Sequence, residues 1–206
     1  MAHELTDGPS PALATDFEAD ELLAGHHVLD FINTLAGWGT SSPMDRLDGY
    51  VRLAQWSVIA GVMEPELADI VAMKSSIEPE EATEALRLAK ELRALLHHIL
   101  GAYAIGAEPH YDDMVAFEAF WQHSIAAHRL AFDGDRIEVR PVAFTSLTII
   151  MDLITRDAVD LMKRLPDKRL RLCAGEDCGW LYFKKDATAK EPYCGGRVCL
   201  NQKRLK

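Results

Sequence analysis

The 206-residue sequence has no run of about eighteen apolar residues, so no membrane-spanning helix is expected. Its first twenty residues are acidic and rich in Pro and Ala; they lack the basic start and apolar stretch of a secretory signal. A cytoplasmic, reducing setting is the expectation. There is no GxxxxGK[ST], no GxGxxG after a strand, no HExxH and no GxSxG. Neighbouring acids such as Asp112-Asp113 and Glu80-Glu81 diverge around a helix and solvate it. With no nucleophile–base or acid–base pattern visible, the expectation is a protein without catalytic activity. Internal repeats and low-complexity tracts are also missing. Cysteine is absent from the first 172 residues.

All four cysteines fall near the end. Cys173 and Cys178 form one pair, Cys194 and Cys199 another; four residues separate the members of each pair and fifteen separate the pairs. Zinc takes four soft thiolates at tetrahedral corners, and two such loops can supply them. Gly175, Gly179, Gly195 and Gly196 give the permissive backbone that metal loops use. The aromatic and apolar stretch 180–183 suits a strand of a hairpin between the pairs, bringing the two loops together. Two disulfides, or four unrelated thiols, are the alternatives; a reducing compartment disfavours the first and the even spacing the second. One structural Zn²⁺ per chain, held by Cys173, Cys178, Cys194 and Cys199, is the expectation. Four thiolates leave no open position for a catalytic water. His97, His98, His123 and His128 lie far upstream, and none is expected to join the metal.

Charge is divided unevenly. Residues 163–206 hold 12 Lys and Arg against 5 Asp and Glu, whereas residues 1–162 hold 10 against 27. A basic module on an acidic body is either a footprint for a polyanion or a module that docks on its own acidic neighbour.

The body reads as helical. Val28, Leu29, Ile32 and Leu35 suit one face of a helix over 26–36, with Asn33 read as a local cap of the following turn. A loop over 37–48 follows, then helices near 49–62 and 65–75, the second opened by Glu64-Pro65. Glu78-Pro79 opens a long helix with the stripe Leu88, Leu92, Leu95, Leu96, Ile99 and Tyr103. On it, one of His97 and His98 is expected to pack and the other to meet water. A helix over 110–128 carries the bulky face Met114, Phe117, Phe120, Trp121 and Ile125. Asp133-Gly134 marks a β-hairpin between 130 and 139. A last helix over 144–164 has the stripe Leu147, Ile150, Met151, Ile154, Ala158, Leu161 and Met162. Residues 1–19 read as a flexible N-terminus with a short edge strand near 12–17. The fold class is therefore mainly α with small β-hairpins: a multihelical N-terminal domain over 20–165 and a C-terminal four-cysteine zinc ribbon-like module over 166–206. No Gly/Ser-rich spacer separates the two, so the last helix is expected to carry the module.

Two stretches resemble a known bacterial family. Cys173, Cys178-Gly179-Trp180 with its apolar continuation to Phe183, Asp186, Tyr193-Cys194, and Cys199 followed by Asn201 and a basic tail resemble the CGNR-type zinc finger. Leu29-Asp30-Phe31-Ile32-Asn33-Thr34-Leu35 resembles the opening of its partner, the ABATE domain. The name-giving Cys-Gly-Asn-Arg reads Cys199-Leu200-Asn201-Gln202 here, and 186–192 holds one lysine and one glutamate where relatives carry arginines. The resemblance implies a transcription regulator whose zinc module contacts DNA and whose helical domain binds a small effector or a protein partner. Lys184, Lys185, Arg197, Lys203, Arg204 and Lys206 are the candidate phosphate contacts. With part of the family's basic charge missing, the DNA contact is expected to be weak and salt-sensitive. The alternative is a zinc-stabilised protein-interaction protein without DNA binding. The 26–36 helix and the glycine loop after it are the expected place for an effector.

Overall fold

The computed structural model describes residues 22–165, 169–184, 193–196 and 199. The edge strand expected near 12–17 lies outside the described residues. The chain is mainly helical, and the described residues include three small antiparallel hairpins. In order it forms α1 (His27–Ile32), β1 (Leu35–Ala36), β2 (Met44–Asp45), α2 (Tyr50–Ile59), α3 (Pro65–Ile77), α4 (Pro79–Ala104), α5 (Tyr111–Ala126), β3 (His128–Asp133), β4 (Arg136–Pro141), α6 (Ile149–Lys163), β5 (Leu170–Leu172) and β6 (Leu181–Phe183). Among the described residues each strand pairs with its sequence neighbour: β1 with β2, β3 with β4, β5 with β6.

Local chemistry sets most of these limits. Pro65 and Pro79 open α3 and α4, where the missing N–H has no helical partner to lose. Glu80 and Glu81 then sit at the positive end of the α4 dipole. Gly134, with φ +64°, makes the two-residue turn that sets Asp133 opposite Arg136.

The core gathers around α1, whose Val28, Leu29, Phe31 and Ile32 are all buried. The Trp56 ring of α2 lies 5.2 Å from Phe31 and is itself buried. From α4 come Ala82, Ala85, Ala89, Leu92, Leu96, Ile99 and Leu100, at three- and four-residue steps. From α6 come Ile150, Met151, Ile154, Ala158 and Leu161. Leu170 and Leu181, together with the four cysteines, continue the same apolar cluster into the C-terminal segment.

Several expectations change. The first helix stops at Ile32, because the Thr34 hydroxyl donates to the Phe31 carbonyl and the chain turns into β1. That turn is held by Arg93, which is buried; its guanidinium donates to Thr34 Oγ1 at 2.9 Å and, through both terminal nitrogens, to the Asp45 carboxylate at 2.8 Å. Burial pushes the Asp45 carboxyl up, but the hydrogen bonds from Arg93 and Lys90 outweigh it and hold it at about 2. On α4, Leu92, Leu96 and Ile99 of the expected stripe are buried, but Leu88 and Leu95 are only half-buried and Tyr103 is exposed; toward the N-terminus the inward stripe continues through Ala82, Ala85 and Ala89. On α5 only Phe117 of the bulky face is buried, while Met114 and Ile125 are exposed. The last helix begins at Ile149, with Leu147 buried in the turn before it. The C-terminal hairpin packs mainly on α4 and α1.

Candidate metal centre and its seam with the helical body

The first cysteine pair occupies the turn of the β5–β6 hairpin. Leu172 pairs with Leu181, and the Cys173 N–H donates to the Trp180 carbonyl at 2.8 Å, closing the ribbon around the loop. The hairpin thus brackets the first pair; it does not lie between the pairs, as the aromatic stretch alone suggested. Inside the loop the Cys178 N–H donates to the Gly175 carbonyl. Gly179 takes φ +68°, and a β-carbon there would lie 2.5 Å from that of Trp38, so only glycine fits.

All four sulfurs lie within 4.8 Å of one another and all four cysteines are buried. None is in a disulfide. Cys173 Sγ is 3.6 Å from Cys199 Sγ, and Cys178 Sγ is 3.7 Å from Cys194 Sγ. A tetrahedron with metal–sulfur bonds of about 2.3 Å has edges of about 3.8 Å. The donor set and its spacing therefore fit one metal ion. The Cys194 N–H points at Cys173 Sγ (3.4 Å) and the Gly196 N–H at Cys194 Sγ (3.5 Å), which favours thiolate over thiol. Hydrogen bonds from Cys178 and Cys194 pull the Cys173 thiol down to about 2. The same bonds to Cys173 push Cys194 up to about 12 and Cys178 up as well. A cation in their midst removes that competition, and binding it releases protons.

The site is fastened to the body by a seam of hydrogen bonds. The Asn33 side chain pairs with the backbone of Leu181: its amide donates to the carbonyl at 2.8 Å and its oxygen accepts the N–H at 3.0 Å. Asn33 caps the end of α1 through its backbone N–H, which donates to the Leu29 carbonyl, but its side chain does not cap the turn and instead takes the place of a neighbouring strand for β6. Trp180 Nε1 donates to the Leu35 carbonyl at 3.1 Å, and the Gly37 N–H to the Cys178 carbonyl at 3.2 Å. The Phe183 N–H donates to the Ala24 carbonyl at 2.8 Å. His97 Nε2 donates to the Gly179 carbonyl at 2.8 Å, and its ring stacks on Trp38 with centroids 3.9 Å apart. His98, one residue on, is exposed. His97 therefore packs and His98 meets water, and neither is among the clustered metal donors.

A family profile named ABATE, described as "Putative stress-induced transcription regulator", matches residues 25–164. The chain belongs to the ABATE family. No curated protein matches it. The ABATE match holds Asn33, Leu35, Gly37, Trp38 and His97 of the seam but not Ala24, and ends before the cysteines. Of the six basic residues proposed from the sequence, Lys184 directly follows β6, and its carbonyl accepts from the Arg169 guanidinium. Lys185, Arg197, Lys203, Arg204 and Lys206 lie outside the described residues. Sequence reasoning missed the seam. The available signal was Asn33, a polar residue directly after the buried apolar pair Phe31-Ile32 of the ABATE opening.

Two results are expected along this ABATE seam. Asn33→Ala leaves the Leu181 N–H and carbonyl without partners where water is scarce, which costs about 1–3 kcal/mol. Urea melts would show the loss, and Asn33→Asp, which restores the acceptor alone, would recover only part. Asp30 governs the pH profile. Burial, countered in part by the Ala24 N–H, pushes its carboxyl up to about 6. Its folded pKa lies above the unfolded value of about 3.9, so folding favours the protonated form. Stability from this group is complete below about pH 4 and declines as pH rises to about 6, by on the order of 2 kcal/mol. Asp30→Asn should flatten the profile across that window in melts run from pH 4 to pH 7.

Proposed function

We propose that this chain is a zinc-stabilised transcription regulator. An ABATE body over 20–165 receives a small effector or a protein partner. A basic module over 166–206 holds one structural Zn²⁺ through Cys173, Cys178, Cys194 and Cys199. The same module makes weak phosphate contacts with DNA through Lys184, Lys185, Arg197, Lys203, Arg204 and Lys206. The carrying observation is the cluster of four buried sulfurs within 4.8 Å, set in the most basic stretch of the chain. An all-thiolate tetrahedral set suits zinc, with iron as the competing ion, and metal analysis separates them. The family description supports the regulatory role. The reading assigns no catalysis, since four protein thiolates close the coordination sphere.

The test is a titration of the metal-loaded protein with duplex DNA. With three or four phosphates neutralised, affinity should fall roughly ten- to a hundredfold between 50 and 200 mM salt. Arg197→Ala/Arg204→Ala should weaken binding at every sequence alike, because phosphate contacts carry no base readout.

Two observations favour the second reading, protein association without DNA. The ribbon spends the outer edge of β6 on its own body, through Asn33 and Ala24. The β3–β4 hairpin also presents an open apolar face: Leu130 pairs with Val139 and Phe132 with Ile137, and all four are exposed. A hairpin alone is marginal in water and is stabilised when such a face is covered. DNA binding that is absent at low salt, or indifferent to the double substitution, favours this reading.

A further inference from the structure

Between the turn before α1, the end of α6 and the β5–β6 ribbon lies a cavity of about 590 Å³, within the range that encloses a drug-sized ligand. Leu23, Leu161 and Phe183 give it an apolar wall. Arg164, Arg169 and Lys184 line it too, against a single acid, Asp160. Three cations to one carboxylate reverses the balance of residues 1–162, where acids outnumber bases 27 to 10. Asp160 already has Lys163 at 3.5 Å. Arg169 is held in place by two hydrogen bonds to the Lys184 carbonyl, at 3.3 and 3.0 Å. Arg164 caps the end of α6, and its guanidinium has no hydrogen-bond or ion-pair partner among the described residues. A neutral donor completes the lining. His26 Nδ1 accepts the Val28 N–H at 3.2 Å, so the neutral ring carries its proton on Nε2. Burial, with His27 stacked beside it, holds the His26 pKa down and the ring neutral at pH 7.

We infer that this cavity binds a small organic carboxylate with an apolar body, its charge between Arg164 and Arg169 and its body against Leu23, Leu161 and Phe183. Guanidinium forks match a carboxylate's two oxygens, and the apolar wall selects against a bare anion. The effector was expected from the sequence at the 26–36 helix and the glycine loop after it; the cavity touches the start of that stretch at His26 and lies at the end of α1 away from the glycine loop. Because its walls come from both the helical body and the ribbon, an occupant touches both, and occupancy shifts any equilibrium between docked and undocked ribbon. That regulatory use rests on the function proposed above; the binding itself does not.

The experiment is calorimetric titration of the full, metal-loaded chain with sodium benzoate, with benzamide and inorganic phosphate as matched probes. Benzoate should bind saturably, and the uncharged benzamide and the body-less phosphate each about tenfold or more weaker. Arg164→Gln should weaken benzoate about tenfold, and Asp160→Asn should tighten it. Both positions are at least partly exposed, so neither variant should shift the melting temperature. Lack of saturation, equal binding of benzamide or of phosphate, or indifference to both variants would overturn the site. Repeating the DNA titration with benzoate present separates the two claims. Benzoate binding with DNA affinity unchanged upholds the cavity and overturns its regulatory use, whereas absent benzoate binding overturns the cavity whatever DNA does.

Discussion

Stripping the metal from the four-thiolate site should unfold the β5–β6 ribbon and loosen the helical body with it. A three-residue strand pair and two loops cannot bury enough apolar surface to stand alone. Structural zinc supplies on the order of 10–16 kcal/mol of apparent binding free energy at neutral pH, which exceeds the whole stability of many domains. The loss should spread because the ribbon's groups are also the partners of the body. Asn33, the Leu35 carbonyl, the Gly37 N–H and His97 all end on residues 178–181. Native protein should carry one equivalent of zinc by elemental analysis, and a strong chelator should lower Tm by well over ten degrees, about what several kcal/mol represents at this size. Cys178→Ala should mimic the chelator. Near-zero metal together with four paired thiols, or a melt unmoved by chelation, would sink the assignment.

Leu96→Ala and Ile154→Ala should each cost about 2–5 kcal/mol. Both side chains are fully buried in the one apolar cluster that α1, α4 and α6 share. The close-packed helices around such a cavity relax only partly into it. Leu95→Ala removes a half-buried side chain from the same helix and should cost less than either. Equilibrium urea unfolding with unchanged m-values would measure the three directly. Equal losses at Leu95 and Leu96 would show that the inward face of α4 had been misread.

What could be read in advance follows the range of the forces involved. The starts of α3 and α4 were legible because a proline after a glutamate acts on its own turn. The β3–β4 turn was legible because Gly134 relieves a steric constraint felt by two residues. The metal cluster was legible because four equal side chains in paired spacing have one strong common chemistry. Failures came where a distant partner decides. Periodicity carried the first helix on to Leu35, but Thr34, bonded to Arg93, diverts the chain into β1. The bulk of Met114 and Ile125 says nothing of whether a neighbour arrives to cover them, and none of the described elements does. Asn33 has the chemistry of a local cap; only the folded chain shows that its partner is Leu181.

The Asn33–Leu181 pairing also bears on the order of events during synthesis. The two residues are 148 positions apart. At about 5–20 residues per second, roughly 7–30 seconds separate their emergence from the ribosome. Every helix from α1 to α6 leaves the ribosome before β6 does. The helix at the centre of the core therefore waits for the end of the chain to complete its outer layer. Contacts this remote slow folding, because the intervening loop must close before they contribute. A nascent chain halted just beyond α6 thus holds all the helical sequence of the body, yet leaves exposed the surface of α1 on which β6 is seated.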